Sequence, residues 1–339
     1  MGFFLGENLI NLIDCKVIKI EDAEKEKTLI DKTISNYNGN ISIIGSYGFF
    51  QCRSLLSINL PEATTINEQA FRECIALASI NLPKVTSISS YAFYGCSSLE
   101  LLSLPEVINI DTSAFYSCCS LTSINLPKAT SVASFIFYNC YSLTSVVLSQ
   151  ITNIASYTFY NCYSLNTVNL PEVTIINGSA FAYCSSLISV YTPKVSIIGS
   201  SAFYNCKLLT SINLSQVTSI GASAFVYCSS LTSLNLPKVS IISNNVFLNC
   251  RFLATVSLPK IASIGNSAFR SCHHLVSLNL TSISSVPTLG GTSVFVSTPI
   301  GGYSTSAGQY GSVYVPASLY SSFITAKYWS SISSRIVSV

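Results

Sequence analysis

The chain has 339 residues, 49% of them hydrophobic and only 9% Asp, Glu, Lys or Arg, with a formal net charge of +3. Mean hydropathy is +0.50, yet Ser, Thr and Asn break up the apolar residues everywhere, and no run of about 18 apolar residues points to a transmembrane helix. Two His, one Trp and one Met leave little material for ordinary enzyme chemistry. The length allows two domains or one elongated one with a large buried core. Charge is unevenly divided. Residues 1–172 hold 9 basic and 14 acidic side chains (−5), and residues 173–339 hold 8 basic and none acidic (+8), which sums to +3. The second half therefore has no side chain for a carboxylate general base, a paired-acid hydrolase site or a carboxylate calcium site.

Residues 1–41 stand outside any repeat. Phe3, Phe4, Leu5, Leu9, Ile10, Leu12 and Ile13 are interrupted by Gly6, Glu7 and Asn8. With no basic n-region and no small-residue cleavage site, a signal peptide is not expected. The chain is then made in the cytoplasm, and display on a virion or cell surface would need another route. Residues 21–32 read as a charged helix, with Glu21 and Lys25 spaced i,i+4. The segment serves either as an N-terminal cap or as an attachment to an assembly partner.

Residues 42–286 are a repeat. Eleven of the thirteen Cys, from Cys52 to Cys272, fall on a strict 22-residue ruler. A Phe stands three residues before each and a Leu three after. Leu stands eight after, except at Thr192, and Ile or Val fourteen after. Such a period marks a solenoid. In Leu231-Thr232-Ser233-Leu234-Asn235-Leu236 the alternation turns the leucines inward and Ser233 and Asn235 outward. This predicts a leucine-rich repeat solenoid of about eleven coils. Each coil has one short parallel strand, with loops or short helical turns between, and the array needs a cap at both ends.

The pattern Ala-Phe-x-x-Cys-x-x-Leu-x-x-Ile-x-Leu-Pro-x-Val-x-x-Ile resembles the BspA-like class of bacterial leucine-rich repeats. The family's usual unit is slightly longer than the 22 residues seen here. The resemblance implies a repeat fold and a non-catalytic role. Its members are mostly cell-surface proteins implicated in adhesion, and similar arrays occur in phage and prophage genes of gut bacteria.

Residues 287–339 change composition, with Pro287, Gly290, Gly291, Pro299, Gly301 and Gly302 breaking the period. Ser312-Val313-Tyr314-Val315 reads as a strand. Pro316 then suits the first position of a helix, whose apolar face is Leu319, Tyr320, Phe323 and Ile324 before Trp329. This resembles the closing segment of the same family, a terminal plug.

Residue types and spacing argue against several chemistries. The ruler cysteines form neither a Cys-x-x-Cys pair nor a set with His, so they read as a buried column of small apolar thiols in a reducing compartment rather than a metal or disulfide framework. Cys119 and Cys15 lie off the ruler. His273 and His274 are adjacent, with no carboxylate after them in sequence. No nucleophile elbow, phosphate-binding loop or nucleic-acid motif occurs. An enzyme, a metal site, a cofactor site and a nucleic-acid partner are all unexpected.

Three surface columns remain. Ten residues after each Cys, Glu62, Lys84, Glu106 and Lys128 alternate in sign, which suits either register or solubility. Asn59, Asn81, Asn125, Asn169, Asn213, Asn235 and Asn279 form a ladder on the strand face, for bonding between coils or for binding. Positions five before, two before and one after Cys share an outward stripe. It holds Phe135, Tyr138 and Tyr141 in one coil and Tyr157, Tyr160 and Tyr163 in the next, extended by Tyr91, Tyr94, Tyr116 and Tyr204. These rings either stabilise the coils by stacking or bind a surface protein or glycan, and an anionic one would be drawn toward Lys194, Lys207 and Lys238. Three roles follow: an adhesive recognition protein, a phage or prophage virion protein attached through residues 1–41, or an intracellular scaffold.

Overall fold

The computed structural model describes residues 2–5, 8–11, 36–305 and 308–339. Cys15 and the helix expected over residues 21–32 lie outside the described residues. Gly2–Leu5 and Asn8–Asn11 pair as an antiparallel hairpin. The chain forms two compact units, residues 1–172 and residues 173–339.

Within the first unit the coils stack through two rows of parallel strands. One row runs Asn36–Asn38, Ser57–Asn59 and Ser79–Asn81, and continues as Leu101–Ser103, Ser123–Asn125 and Ser145–Val147. A second row runs Ile43–Ile44, Thr65–Ile66, Ser87–Ile88, Asn109–Ile110 and Ser131–Val132. Register advances by one repeat per strand, as in Leu102, Ile124 and Val146. The second row is an addition to the single strand per coil read from the sequence. It forms because the Ile or Val fourteen after each Cys is a β-branched residue buried against its counterparts, while the residue before it faces out. The second unit repeats this plan, with rows such as Ser233–Asn235, Thr255–Ser257 and Ser277–Asn279, and Ile241–Ile242, Ser263–Ile264 and Thr288–Leu289.

The segment before each Cys is a pair of tight turns. Residues five before and one before Cys adopt positive φ, for example Tyr47 at 60° and Gln51 at 58°. This left-handed backbone directs their N–H groups to the next coil. Tyr47 N donates to Glu68 O at 3.0 Å and Gln51 N to Arg72 O at 2.8 Å, while Cys52 N closes its own turn on Phe49 O at 3.1 Å. Asn139, Asn161, Asn205, Asn249 and Gly95 occupy the second of these positions, residues that tolerate it at low cost.

The core is built of columns. In the first unit Phe49, Phe71, Phe93, Phe115, Phe137 and Phe159 stack with centroids 5.1–5.7 Å apart and planes within 17°. In the second, Phe181, Phe203, Phe225, Phe247 and Phe269 do the same at 5.2–5.5 Å. The thiols run beside them and do more than fill space. Cys74, Cys96, Cys118, Cys140 and Cys162 each donate from Sγ to the carbonyl of the Phe one coil back, at 2.9–3.2 Å. Cys206, Cys228, Cys250 and Cys272 repeat the contact. Burial raises these thiols well above their usual pKa, so they are neutral donors and not nucleophiles.

Both Phe columns meet a covering ring. Tyr37 lies 5.3 Å from Phe49. Phe269 stacks on Phe295, which meets Trp329 at 5.9 Å, and Trp329 Nε1 donates to Pro287 O at 2.7 Å. Ser312–Val315 and Ile336–Ser338 add two parallel strands beyond Ser277–Asn279. Pro316 is the N-cap residue of a short 3-10 turn, Ala317–Leu319, which leads into the helix Tyr320–Thr325. The proline ring thus stands one position earlier than the helical position expected for it.

Two stability predictions follow from these columns. Phe137 is fully buried and stacks on both neighbours, so Phe137→Ala should lower stability by about 3–5 kcal/mol in denaturant titration. Thr192 stands in a leucine column, and its buried hydroxyl has no hydrogen-bond partner. Thr192→Val should therefore raise stability by about 1 kcal/mol, read as a higher denaturation midpoint.

Candidate functional site

The aromatic stripe of the first unit is a continuous surface. Two residues before Cys, the rings of Tyr94, Tyr116, Tyr138 and Tyr160 stack at 4.7–4.8 Å with planes 2–11° apart. Five before Cys, Phe135 stacks on Tyr157 at 4.7 Å. One after Cys, Tyr141 stacks on Tyr163 at 5.3 Å. The columns meet at an angle. Phe135 tilts 46° against Tyr138, and Tyr157 tilts 52° against Tyr160. All six residues named from the sequence therefore stand in one ribbon. Tyr141, Tyr157 and Tyr163 are exposed and the other three half-buried.

Ring faces inside a column are covered by neighbours, so solvent meets ring edges, hydroxyls and the oblique seams between columns. Burial first, and then the charges of neighbouring phenols, raise the pKa values of Tyr116 and Tyr138. Both phenols are therefore neutral at physiological pH.

The sequence did not show how the ribbon begins. The Arg72 guanidinium lies 4.9 Å over the Tyr94 ring, a cation–π contact that covers the first face of the column. Glu73 accepts from Gln51 at 2.9 Å and Arg53 at 3.1 Å beside it. Arg72 occupies the position two before Cys, so the repeat ruler held the signal. Tyr204 belongs to the second unit, where its ring meets Tyr183 at 5.4 Å and Tyr227 at 5.9 Å.

The other two columns behave differently. Lys84 pairs with Glu62 at 2.6 Å and Lys128 with Glu106 at 2.7 Å. Each exposed pair is worth at most about 1 kcal/mol, so they favour register without fixing it. On the strand face Asn81 Nδ2 donates to Asn59 Oδ1 at 2.7 Å. Asn213 and Asn279 instead accept from the N–H groups of Ser215 and Thr281, closing local turns. Among the described residues no group of three or more His, Cys, Asp or Glu could hold a metal ion. No helix among them is long and apolar enough to cross a membrane.

Comparison with known proteins agrees with this architecture. The family model described as BspA type leucine rich repeat region matches in six copies over residues 27–131, 86–210 and 174–299. A leucine-rich repeat protein from Bacteroides ovatus is similar at 26% identity and TM-score 0.51, covering 76% of this chain and 83% of that one. A leucine rich cell surface protein from Faecalibacterium prausnitzii shares the fold at 23% identity and TM-score 0.52, covering 88% of this chain and 92% of that one. No functionally curated protein matches the chain.

Cys119 offers a handle on the ribbon. It is half-buried, contacts Ser117 O at 3.3 Å and lies close enough to Tyr141 to influence its ionisation. In the native protein an alkylating reagent should modify Cys119 before any buried ruler cysteine, as read by peptide mass spectrometry. Labelling of the ruler thiols should wait for unfolding.

Proposed function

The chain belongs to the BspA-type leucine-rich repeat family, and on that premise we propose that it is a non-catalytic recognition protein that holds a surface protein or glycan on the aromatic ribbon of its first unit. Repeat arrays of this type are generally non-enzymatic, and the buried thiols are held neutral. The ribbon itself carries the reading. Phe135 and Tyr157 sit at φ of 62° and 59°, a backbone region that bulky side chains rarely adopt. Other coils place Gln69, Ser113, Ser179, Ser201, Ser223, Asn245 and Ser267 at the same position. The turn therefore does not require a ring there, and stability alone does not account for one.

Tyr edges and hydroxyls suit a partner that offers both apolar area and hydrogen-bonding groups. Protein surfaces and sugars both do. The test is replacement of Tyr138, Tyr141, Tyr160 and Tyr163 by Ser, measured by binding to intact cells and to a glycan array. Binding should weaken at least about tenfold, the scale of losing a buried aromatic anchor, with the circular dichroism spectrum unchanged. If that variant binds as well as the parent, the ribbon is structural, and the strand-face Asn column takes its place as the candidate.

A further inference from the structure

In the second unit the same outward stripe carries cations. One residue after each ruler cysteine stand Ser185, Lys207, Ser229, Arg251 and His273, and Arg270 lies in the column beside them, two before Cys272. Coils step by about 4.8 Å, so Arg251 is two coils from Lys207 and His273 one coil beyond Arg251. Lys207, Arg251, Arg270 and His273 are all exposed. Residues 173–339 contain no Asp or Glu, so no side-chain carboxylate of this unit neutralises them. In the first unit, by contrast, Arg53, Lys84 and Lys128 each meet a Glu within 3.1 Å.

An apolar platform lies in the middle of this row. Phe252 is 55% exposed, and its ring lies 5.1 Å from that of His274. His274 Nδ1 is 2.8 Å from Arg251 O. A carbonyl can only accept, so Nδ1 is the donor in this contact.

We propose that this face of the second unit binds a linear anionic polysaccharide, sulfated or carboxylated, laid along the stacking direction, and that mild acid strengthens the binding. Lys207, Arg251 and His273 form a row at multiples of the coil step, with Arg270 beside it, which matches a chain with repeating charges. Ser229 keeps the space between Lys207 and Arg251 low, and Phe252 offers a ring face to a pyranose. Of the two adjacent imidazoles, His273 supplies the pH response. The charged or titratable groups around them are Arg251 from the preceding coil and Arg270 in their own. Residues 288–305 add Tyr303, and Gly311, which lies against Leu275 O, brings Tyr310 with the Arg335 guanidinium 4.1 Å over its ring. Burial, then the charges of Arg251 and His274, hold the His273 imidazole below its usual 6.5. Protonation on acidification adds positive charge facing the ligand, so affinity rises as pH falls through that range.

The probe is immobilised heparin, whose sulfates stay ionised, with neutral dextran and a poly-glutamate column as comparisons. The protein should bind heparin and not dextran, weaken with added salt, and bind about threefold or more tightly at about pH 5 than at about pH 7.5. Replacing Lys207, Arg251 and Arg270 by Gln should lower affinity about tenfold at both pH values. H273Q/H274Q should keep the neutral-pH binding and lose the acid increment; the amide that H274Q introduces can still donate to Arg251 O. The four-Tyr variant of the first unit should bind heparin like the parent, so this result is separable from the ribbon's. Absence of heparin binding, equal retention on poly-glutamate, or an acid increment that survives H273Q/H274Q would each overturn the proposal.

Discussion

Every residue of a coil stands about 4.8 Å from its counterpart in the next coil, so each column must tolerate close contact with residues like itself. Phe meets that condition by stacking ring on ring, at 5.1–5.7 Å in the first unit. Cys meets it by pointing each Sγ–H at the Phe carbonyl one coil back rather than at another sulfur. Asn meets it where Asn81 donates its amide to the oxygen of Asn59. In the first unit charge meets it by alternating, as Glu62 with Lys84 and Glu106 with Lys128 do. A column of like charges at this spacing would repel along its whole length. That accounts for a chain with only 9% charged residues and for the Ser, Thr and Asn that replace charge on its surface.

The turns follow from the same constraint. Strands bond sideways to their neighbours without help, but a tight turn aims most of its N–H groups at itself. Two left-handed residues per coil solve this by redirecting an N–H each to the next coil, as Gln69 does to Ser90 O and Glu73 to Tyr94 O. Side chains extend the pattern, with Thr86 Oγ1 donating to Thr64 O and Thr144 Oγ1 to Thr122 O. Among the described residues few buried side-chain polar atoms lack a partner. Thr192 Oγ1 is one, and it sits where the sequence broke its own leucine rule.

This logic decides what the sequence could reveal. A position repeated in every coil, such as Phe137, Cys140 or Leu143, announces a buried column, and strand alternation at Leu234 and Leu236 gives the inward face directly. The second strand row was hidden because it is only two residues long, and its single buried Ile looks the same in a loop. The left-handed turns were signalled more faintly, by Asn139, Asn161, Asn205, Asn249 and Gly95 before the cysteine, since other coils put Gln, Ser, Glu or Tyr there. The ribbon was legible as spacing. That its ring faces cover one another was not, because spacing fixes which residues are neighbours but not the angle between their planes.

That angle explains why the surface rings occur in company. A bulky residue at positive φ costs on the order of 1 kcal/mol, and a well-placed ring pair returns about the same amount. Among the described residues each aromatic residue found there has a ring or a cation beside it. Tyr47 meets Phe50 at 5.6 Å, Tyr91 meets Tyr94 at 6.0 Å, and Phe135 and Tyr157 meet each other at 4.7 Å. In the second unit Tyr183 and Tyr227 both meet Tyr204, and Tyr328 lies under the Lys327 ammonium at 5.0 Å. A ring at such a turn is therefore stable chiefly as part of a group, and removing one member leaves the next one's backbone strain without its offset. The ribbon is for that reason a cooperative surface, whose area cannot be trimmed one tyrosine at a time without weakening the rings that remain.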